Sequence, residues 1–371
     1  MLDVDALLAD PGVRIVVCCG SGGVGKTTTA AALAVRAAEE HGRRTVVLTI
    51  DPARRLAQSL GLTELDNTPR PVEGLTGDGD LHAMMLDMKR TFDEVVLSHT
   101  APERAKEIFA NPFYQAMSST FSGTQEYMAM EKLSQLRATD RWDLIVVDTP
   151  PSRSALDFLD APARLGRFLD GRMLRLLMVP ARAGGRSMFN LVTASFGVFS
   201  KAVQKILGAQ LLTDLSGFVS ALDSTFGGFR ERADRTYRVL QDPQTAFLVV
   251  AAPEPDAVRE AAYFAERLGA EHMPLAGLVL NRVHRSELPD LSAADSAEAA
   301  EKLADEHTLT AQALQVHALL MRQVARESEV STGFTDEFPQ VPIAYVPAQP
   351  TDVHDLTGLR AIGAALAARE E

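Results

Sequence analysis

The segment Gly20-Ser-Gly-Gly-Val-Gly-Lys-Thr27 has the residue types and spacing of a phosphate-binding loop. Its glycines allow the backbone to curl around a phosphate with the N–H groups facing inward. Lys26 would place a positive charge beside the β- and γ-phosphates of ATP, and the Thr27 hydroxyl is suited to bind Mg²⁺. The same glycines also fit the G-x-G-x-x-G pattern of dinucleotide-binding folds, but the Lys-Thr pair that follows favours the phosphate-binding loop.

Two aspartates end apolar runs that are typical of buried strands. Asp148 follows Leu144-Ile-Val-Val147, where an acid is suited to reach Mg²⁺ through water; a helix N-cap or a turn residue is the alternative. Asp51 is followed by Pro52, which fixes a turn. A carboxylate at Asp51 would orient or deprotonate the water that attacks the γ-phosphate, and a simple turn residue is the alternative.

Asn281 ends a further apolar run. Its side-chain amide has both a donor and an acceptor, which suits the edge of a purine base. A capping role at the end of the strand explains this residue equally well.

These residues lie within alternating strand and helix patterns, which predict a parallel sheet of the α/β class. A helix from Lys26 to Glu40 follows the first strand and stops at Gly42, and Glu254–Leu268 is a second crossover helix. Residues near 296–328 read as further helix. Buried strands are predicted at 14–20, 45–50, 144–148, 245–251, 275–281 and 341–346.

Two stretches, about 90–135 and 161–240, show helical periodicity and no clear strand. The second contains an amphipathic pattern of Met, Phe, Leu and Val from Met188 to Leu207, which forms either the subdomain's own core or a groove for a client helix. We therefore predict a P-loop core with an inserted α-helical subdomain. The predicted boundaries are 1–89 (core), 90–135 (helical segment), 136–160 (core), 161–242 (helical subdomain) and 243–371 (core strands and C-terminal helices).

The composition describes a globular chain of 371 residues with a formal net charge of -12. This sign disfavours nucleic acid and anionic lipid as main partners. The two cysteines, Cys18 and Cys19, are adjacent in a predicted strand and therefore point to opposite faces, which disfavours a disulfide. The start of the chain has no basic leader pattern and no apolar run approaches a membrane span, so we expect a cytoplasmic protein with no integral membrane segment.

The order of these motifs resembles that of the arsenite-pump ATPases and the guided-entry ATPases that target tail-anchored proteins. The shared motifs are the P-loop, Asp51-Pro-Ala53, Asp148-Thr-Pro-Pro-Ser152 and Leu280-Asn-Arg282. The resemblance implies a switch ATPase of the deviant Walker A class that forms nucleotide-dependent dimers and uses ATP and Mg²⁺.

Carried onto this sequence, the resemblance makes Lys26 and Asp51 catalytic, and it makes Thr27 and Asp148 magnesium ligands, the latter through water. Asn281 and the backbone near Pro347 would hold the adenine. The loop residues that would bind the phosphates are Gly22, Gly23, Val24, Gly25, Lys26, Thr27 and Thr28.

The chain departs from that family at Ser21, where the family has a lysine that reaches the partner's phosphates. A hydroxyl supplies no full charge to a transition state, so we favour a heterodimer with a lysine-bearing paralogue over a homodimer. Arg54-Arg55 and Arg153-Ser154 replace family residues in the two switch segments. The family's zinc-binding and metalloid-binding cysteines are absent from the sequence.

The leading functional hypothesis is an ATPase that couples hydrolysis to binding of a client or partner protein. One alternative is a regulatory ATPase subunit of a membrane-associated or envelope-stress complex that binds no client helix. A second is a ParA-like spatial organiser, which the acidic charge disfavours. A metabolic kinase would need an acceptor pocket, which no pattern in the sequence indicates.

Overall fold

A computed structural model describes residues 1–51, 55–112, 114–115, 118, 124–150, 235 and 237–368. Of these, residues within 1–86, 135–150 and 239–368 form one compact unit, and residues within 87–134 together with 235, 237 and 238 belong to a second. The predicted amphipathic pattern at 188–207, most of the predicted subdomain 161–242 and the Arg153-Ser154 pair lie outside the described residues.

The first unit contains an eight-stranded sheet with the order β3-β4-β2-β5-β1-β6-β7-β8. Only the β3–β4 pair is antiparallel, and all other neighbours are parallel. The predicted α/β fold with a mainly parallel sheet is confirmed. The strands are β1 (Ile15–Cys19), β2 (Thr45–Thr49), β3 (Arg70–Pro71), β4 (Leu81–Met85), β5 (Leu144–Asp148), β6 (Thr245–Ala251), β7 (Leu275–Val283) and β8 (Ile343–Pro347).

Helices flank this sheet and connect its parallel strands. In the first unit they are α1 (Val4–Ala9), α2 (Lys26–Glu39), α3 (Arg55–Ser59), α7 (Pro255–Ala270), α8 (Ala293–Leu303), α9 (Thr308–Glu337) and α10 (Leu356–Ala367). In the second they are α4 (Met88–His99), α5 (Pro102–Ala110) and α6 (Thr124–Ala138), the last of which continues into the first unit. Among the residues with described positions, no helix is both long and apolar enough to cross a membrane.

The central strands are buried along their whole length, as expected when helices cover both faces of a parallel sheet. Their side chains are mostly aliphatic, and the polar exceptions in β2 and β5 lie at strand ends. Because the register pairs Cys18 with Asp148 and Thr49 with Asp148, the carboxyl ends of β1, β2 and β5 meet at one edge. The functional residues that follow those strands are therefore brought together.

The first unit differs from the sequence prediction in several places. The strand β4, Leu-His-Ala-Met-Met, contains no β-branched residue and was not predicted; it is ordered by parallel pairing with β2. The predicted helix near 296–328 is two helices, α8 and α9, because the chain turns at residues 304–307. The strand β7 continues past Asn281 to Val283 through an irregularity in its pairing with β8.

Helix α2 is fixed behind the phosphate-binding loop by the C-terminal helix. Ten of its 14 residues are buried, most of them alanines that allow close packing. On α10, Gly363 faces the Ala32 carbonyl, where an added Cβ would lie 3.4 Å away. The Arg360 guanidinium and the buried Glu39 carboxylate form an ion pair at 2.7 Å, which also holds the pKa of Glu39 below its usual value. The helix that starts the nucleotide site is therefore rigidly supported.

The second unit has a small core of its own. Phe92 of α4 packs edge-on against Tyr114, with ring centroids 5.4 Å apart. The Tyr114 hydroxyl donates to Asp93 at 2.5 Å, and burial together with this carboxylate raises its pKa. Lys132 of α6 is buried and pairs with Glu94 at 2.9 Å. The helical periodicity predicted for residues 90–135 agrees with these helices.

Candidate nucleotide site

The phosphate-binding loop connects β1 to α2 and depends on glycine at both ends. Gly20 has φ 146° and Gly25 has φ 96°, conformations that other residues rarely adopt. A Cβ at Gly20 would collide with the Val250 carbonyl, and a Cβ at Gly25 would collide with the Asn281 amide. The glycines are therefore required by both backbone conformation and the neighbouring strands β6 and β7. Helix α2 begins at Lys26, so its positive end faces the loop.

Lys26 folds back over this loop. Its Nζ donates a hydrogen bond to the Ser21 carbonyl at 2.6 Å, and the residue is 5% exposed. Burial lowers the pKa of Lys26, while the negative charges of Asp148 and Asp51 act in the opposite direction. The lysine charge thus lies at the inner end of the loop, next to both predicted acids.

Asp148 ends β5 and is completely buried. Its Oδ2 accepts two hydrogen bonds at 2.8 Å, one from the Thr27 hydroxyl and one from the Thr49 hydroxyl. Its Oδ1 is buried and has no hydrogen-bond partner among the described residues. Burial raises the pKa of Asp148 to about 6, although the two threonines and Lys26 favour the ionised form. A buried carboxylate oxygen without a donor is the arrangement expected beside a cation or its water shell.

The raised pKa of Asp148 implies that the free energy of unfolding depends on pH. Because its folded pKa lies above the ordinary aspartate value of 3.8, ionisation opposes folding; this cost is absent at low pH, builds up between the two pKa values and is complete above about pH 6. In EDTA-containing buffer without nucleotide, the wild type should lose roughly 1 kcal/mol relative to Asp148→Asn between pH 5 and pH 7. Urea unfolding of both proteins at each pH measures this difference, and parallel pH dependences would contradict it.

Asp51 is half-buried immediately after β2. Its backbone N–H donates to the Thr49 hydroxyl at 3.1 Å. Pro52, Ala53 and Arg54 lie outside the described residues, and the chain continues in α3 at Arg55. Asp51 therefore leaves the sheet beside the carboxyl end of β5, where Asp148 lies.

A cavity of about 810 Å³ extends from the phosphate-binding loop along the carboxyl edge of the sheet. This volume is in the range of small-molecule and cofactor sites. It collects the predicted residues Gly23, Gly25, Lys26, Thr27, Thr28, Asp51, Asn281 and Pro347. It is also lined by Arg55, Gln58, Ser59, Thr149, Arg282, His284, Ala348, Gln349, Thr351, Asp352, Val353, His354 and Ile362.

On the β7 side of the cavity, Asn281 contacts the phosphate-binding loop directly. Its Nδ2 donates to the Val24 carbonyl at 2.8 Å, so the amide nitrogen is engaged within the protein. The next residue, Arg282, has φ 67°, which is uncommon for a residue with a side chain. This conformation occurs where the β7–β8 register shifts, and it brings both Asn281 and Arg282 to the cavity wall. Pro347 is the last residue of β8, and it pairs with Val283 just beyond this register shift.

His284 reaches the cavity wall with support from α9. Its backbone N–H donates to Glu327 Oε2 at 2.8 Å, and its Nδ1 is 2.7 Å from Glu327 Oε1. Glu327 is 4% exposed and also accepts from Gln323 at 2.8 Å. This pair joins the long helix α9 to the segment that follows β7.

Sequence reasoning missed several residues that the structure brings to the site or behind it. Thr49 had a signal, since it is a hydroxyl at the end of an apolar strand two residues before Asp51. Arg55 belongs to the Arg-Arg pair noted as a departure from the family pattern, but its place on the cavity wall was not predicted. His284 and Glu327 are 43 residues apart in sequence, and no local pattern relates them.

Comparisons with known proteins agree with this architecture. The sequence profile described as anion-transporting ATPase matches residues 13–314. ATPase GET3B of Arabidopsis thaliana is 27% identical over 299 residues, covering 71% of this chain and 62% of that protein. ATPase ASNA1 homolog of Cryptosporidium parvum (strain Iowa II) is 27% identical over 266 residues, covering 71% of this chain and 63% of its own length.

A bacterial relative matches a shorter part of the chain. A putative arsenical pump-driving ATPase of Prosthecochloris vibrioformis is 31% identical over 157 residues, covering 41% of this chain and 36% of that protein. The chain therefore spans somewhat less than two thirds of the length of the curated relatives that match most of it.

Proposed function

The chain belongs to the anion-transporting ATPase family, and on that premise we propose that it binds Mg-ATP in the cavity and hydrolyses it to ADP and phosphate. The observation that carries this proposal is the hydrogen bond between Thr27 and Asp148. It joins the last residue of the P-loop motif to the acid that ends the neighbouring strand. Such a hydroxyl–carboxylate pair beside a buried lysine is the arrangement that Mg-ATP requires in P-loop enzymes.

The donor set beside the loop fits Mg²⁺. Magnesium prefers oxygen ligands and usually keeps several waters, so one hydroxyl and one nearby carboxylate suffice when nucleotide phosphates complete the shell. In this proposal the Thr27 hydroxyl would bind the ion directly, and Asp148 would act through water from its unpartnered Oδ1. When bound, the ion neutralises negative charge on the β- and γ-phosphates.

The protein's own groups would perform the remaining tasks of hydrolysis. The inward-facing amides of Gly22 to Gly25 and the positive end of α2 bind phosphate oxygens. Lys26 exchanges its bond to the Ser21 carbonyl for the β- and γ-phosphates and stabilises the charge that develops on the leaving oxygen. Asp51 orients the attacking water and accepts its proton. Asn281 and the backbone at Pro347, which line the wall formed by β7 and β8, would hold the adenine.

The direct test is nucleotide binding and phosphate release by the purified chain. We expect fluorescent mant-ATP to bind tightly with Mg²⁺, to bind weakly with excess EDTA, and to be displaced by ATP far better than by AMP. Phosphate release should likewise require Mg²⁺. Absence of both binding and release would contradict the proposed function.

We further propose that the nucleotide state controls pairing with a second subunit and binding of a client or partner protein. This proposal is based on the family resemblance and on the residue at position 21. Ser21, the second residue of the loop, has a short neutral side chain and cannot carry a charge to a neighbouring subunit. A lysine-bearing paralogue in a heterodimer would supply the missing charge, whereas a homodimer would lack it at both sites.

Replacing Ser21 by lysine tests this dependence. Because the Ser21 carbonyl that binds Lys26 is unchanged, we expect Ser21→Lys to keep the loop intact while promoting ATP-dependent dimerisation and raising turnover about tenfold or more. Light scattering with a non-hydrolysable ATP analogue and phosphate release measure the two effects. Ser21→Gln, of similar length but neutral, is the control. Full turnover in a wild-type homodimer, unchanged by Ser21→Lys, would contradict the heterodimer proposal.

A further inference from the structure

We propose that Thr49 is a positioning residue that holds both acids of the nucleotide site in their working positions. The inference rests on the proposed function, because it concerns how Mg-ATP is bound and hydrolysed. Thr49 is the last residue of β2 and is only 1% exposed. It is not part of the cavity wall, so it acts through the residues it contacts.

The single hydroxyl of Thr49 makes two hydrogen bonds in different directions. Its proton is donated to Asp148 Oδ2 at 2.8 Å, and its oxygen accepts the backbone N–H of Asp51 at 3.1 Å. A hydroxyl has one proton and two lone pairs, so both bonds are made at once. Thr49 therefore joins the acid at the end of β5 to the acid that follows β2.

The sheet explains why this residue can reach both acids. Strands β2 and β5 are parallel neighbours whose register places Thr49 directly beside Asp148. The Ile50 N–H donates to the Asp148 carbonyl at 3.1 Å, which continues the ladder past the end of β2. Asp51 is thus the first residue to leave the sheet, and the Thr49 hydroxyl fixes the direction in which its backbone leaves.

Asp148 contacts two threonines, and its contact with Thr49 differs in one respect from its contact with Thr27. Both threonines donate to the same oxygen of Asp148, which leaves Oδ1 as the unpartnered atom. However, the Thr27 hydroxyl is also the proposed magnesium ligand, so its geometry changes with the nucleotide. Thr49 has no such second task and supports the carboxylate whether or not nucleotide is present. Thr49 therefore keeps Oδ1 of Asp148 directed towards the proposed magnesium position. Through its second hydrogen bond it also fixes the position of Asp51 relative to that carboxylate.

The test uses three variants of one strand. Thr49→Val removes the hydroxyl with little change in shape and keeps a β-branched residue in the strand. Thr49→Ser keeps the hydroxyl and removes only the methyl group. Thr45→Val is the matched control, since Thr45 is also buried in β2 and donates a 3.3 Å hydrogen bond to the Arg43 carbonyl at the opposite end of the strand.

The first measurement needs no nucleotide. In Thr49→Val the Asp51 amide loses its acceptor, so hydrogen exchange at residue 51 should become about tenfold faster, as expected for loss of one hydrogen bond. Thr49→Ser and Thr45→Val should exchange at the wild-type rate at that position.

The second measurement reports on the metal site. In Thr49→Val, the Mg²⁺ concentration for half-maximal mant-ATP binding should rise about tenfold, and turnover at saturating Mg-ATP should fall about tenfold. Thr49→Ser should rescue both to within about twofold, which a loss of general stability would not produce. Thr45→Val should leave both unchanged.

The outcomes separate this inference from the proposed function. Wild-type Mg²⁺ dependence, turnover and residue-51 exchange in Thr49→Val would overturn the positioning role alone. Equal losses in Thr49→Val and Thr45→Val would also overturn it, because they would show a general effect on β2. A wild-type chain that neither binds nor hydrolyses Mg-ATP would overturn the proposed function, and with it the role assigned to Thr49.

Discussion

Replacing Lys26 by alanine should reduce ATP turnover by about 10²- to 10³-fold. Lys26 is buried at the start of α2, next to Asp148 and Asp51, and in the proposed mechanism its charge stabilises the leaving phosphate oxygens. No neighbouring side chain on the loop carries a positive charge that would replace it. Phosphate release at saturating Mg-ATP measures the effect, since the loss concerns the chemical step as well as binding.

Lys132→Ala is the matched control for that experiment. Lys132 is also a buried lysine, paired with Glu94 in the second unit, so its replacement similarly removes a buried charge. We expect turnover within about threefold of the wild type, because Lys132 does not line the cavity. Near-normal turnover in Lys26→Ala would refute the assigned role, and equal losses in both variants would point to general destabilisation.

Asp51→Asn should lower turnover about a hundredfold or more and leave ATP affinity within about threefold of the wild type. The amide keeps the size of the carboxylate and the backbone bond to Thr49, but it cannot accept a proton from water. Because the proposed role of Asp51 is confined to the transition state, kcat and kcat/KM should fall together. Single-turnover hydrolysis and mant-ATP binding measure the two quantities separately.

Asp352→Asn is the appropriate control for Asp51. Asp352 also lines the cavity, but it lies on the segment that follows β8. Asp352→Asn therefore removes the same charge from a different wall of the cavity. We expect unchanged turnover in this variant. If Asp51→Asn instead weakened ATP binding as much as it slowed hydrolysis, Asp51 would be a binding residue and the proposed water-orienting role would be wrong.

Much of the site was predictable because its residues lie beside recognisable elements. The P-loop is a continuous segment whose glycine positions, lysine and threonine are all local features. Asp51 and Asp148 follow apolar runs that any parallel sheet would bury, and carboxyl ends of parallel strands share an edge. The β1–β5 pairing accordingly places Asp148 beside the strand that leads into the P-loop.

Other features were decided by contacts between segments distant in sequence. The strand β4 has weak strand propensity and exists because β2 offers an edge to it. The Glu327–His284 pair depends on where α9 packs, and the left-handed backbone at Arg282 depends on the shifted pairing of β7 with β8. None of these follows from periodicity, because each requires the position of a second segment.

The sequence by itself therefore determined the α/β class, the P-loop and the two acids, because residue type and spacing along one segment specify them. Tertiary structure alone decided the strand order, and with it that Thr49 contacts Asp148 across 99 residues of sequence. It also decided that Asn281 closes against the Val24 carbonyl. The physical reason is that propensity and spacing act over a few residues, whereas sheet order and side-chain contacts are set by the packing of the whole core.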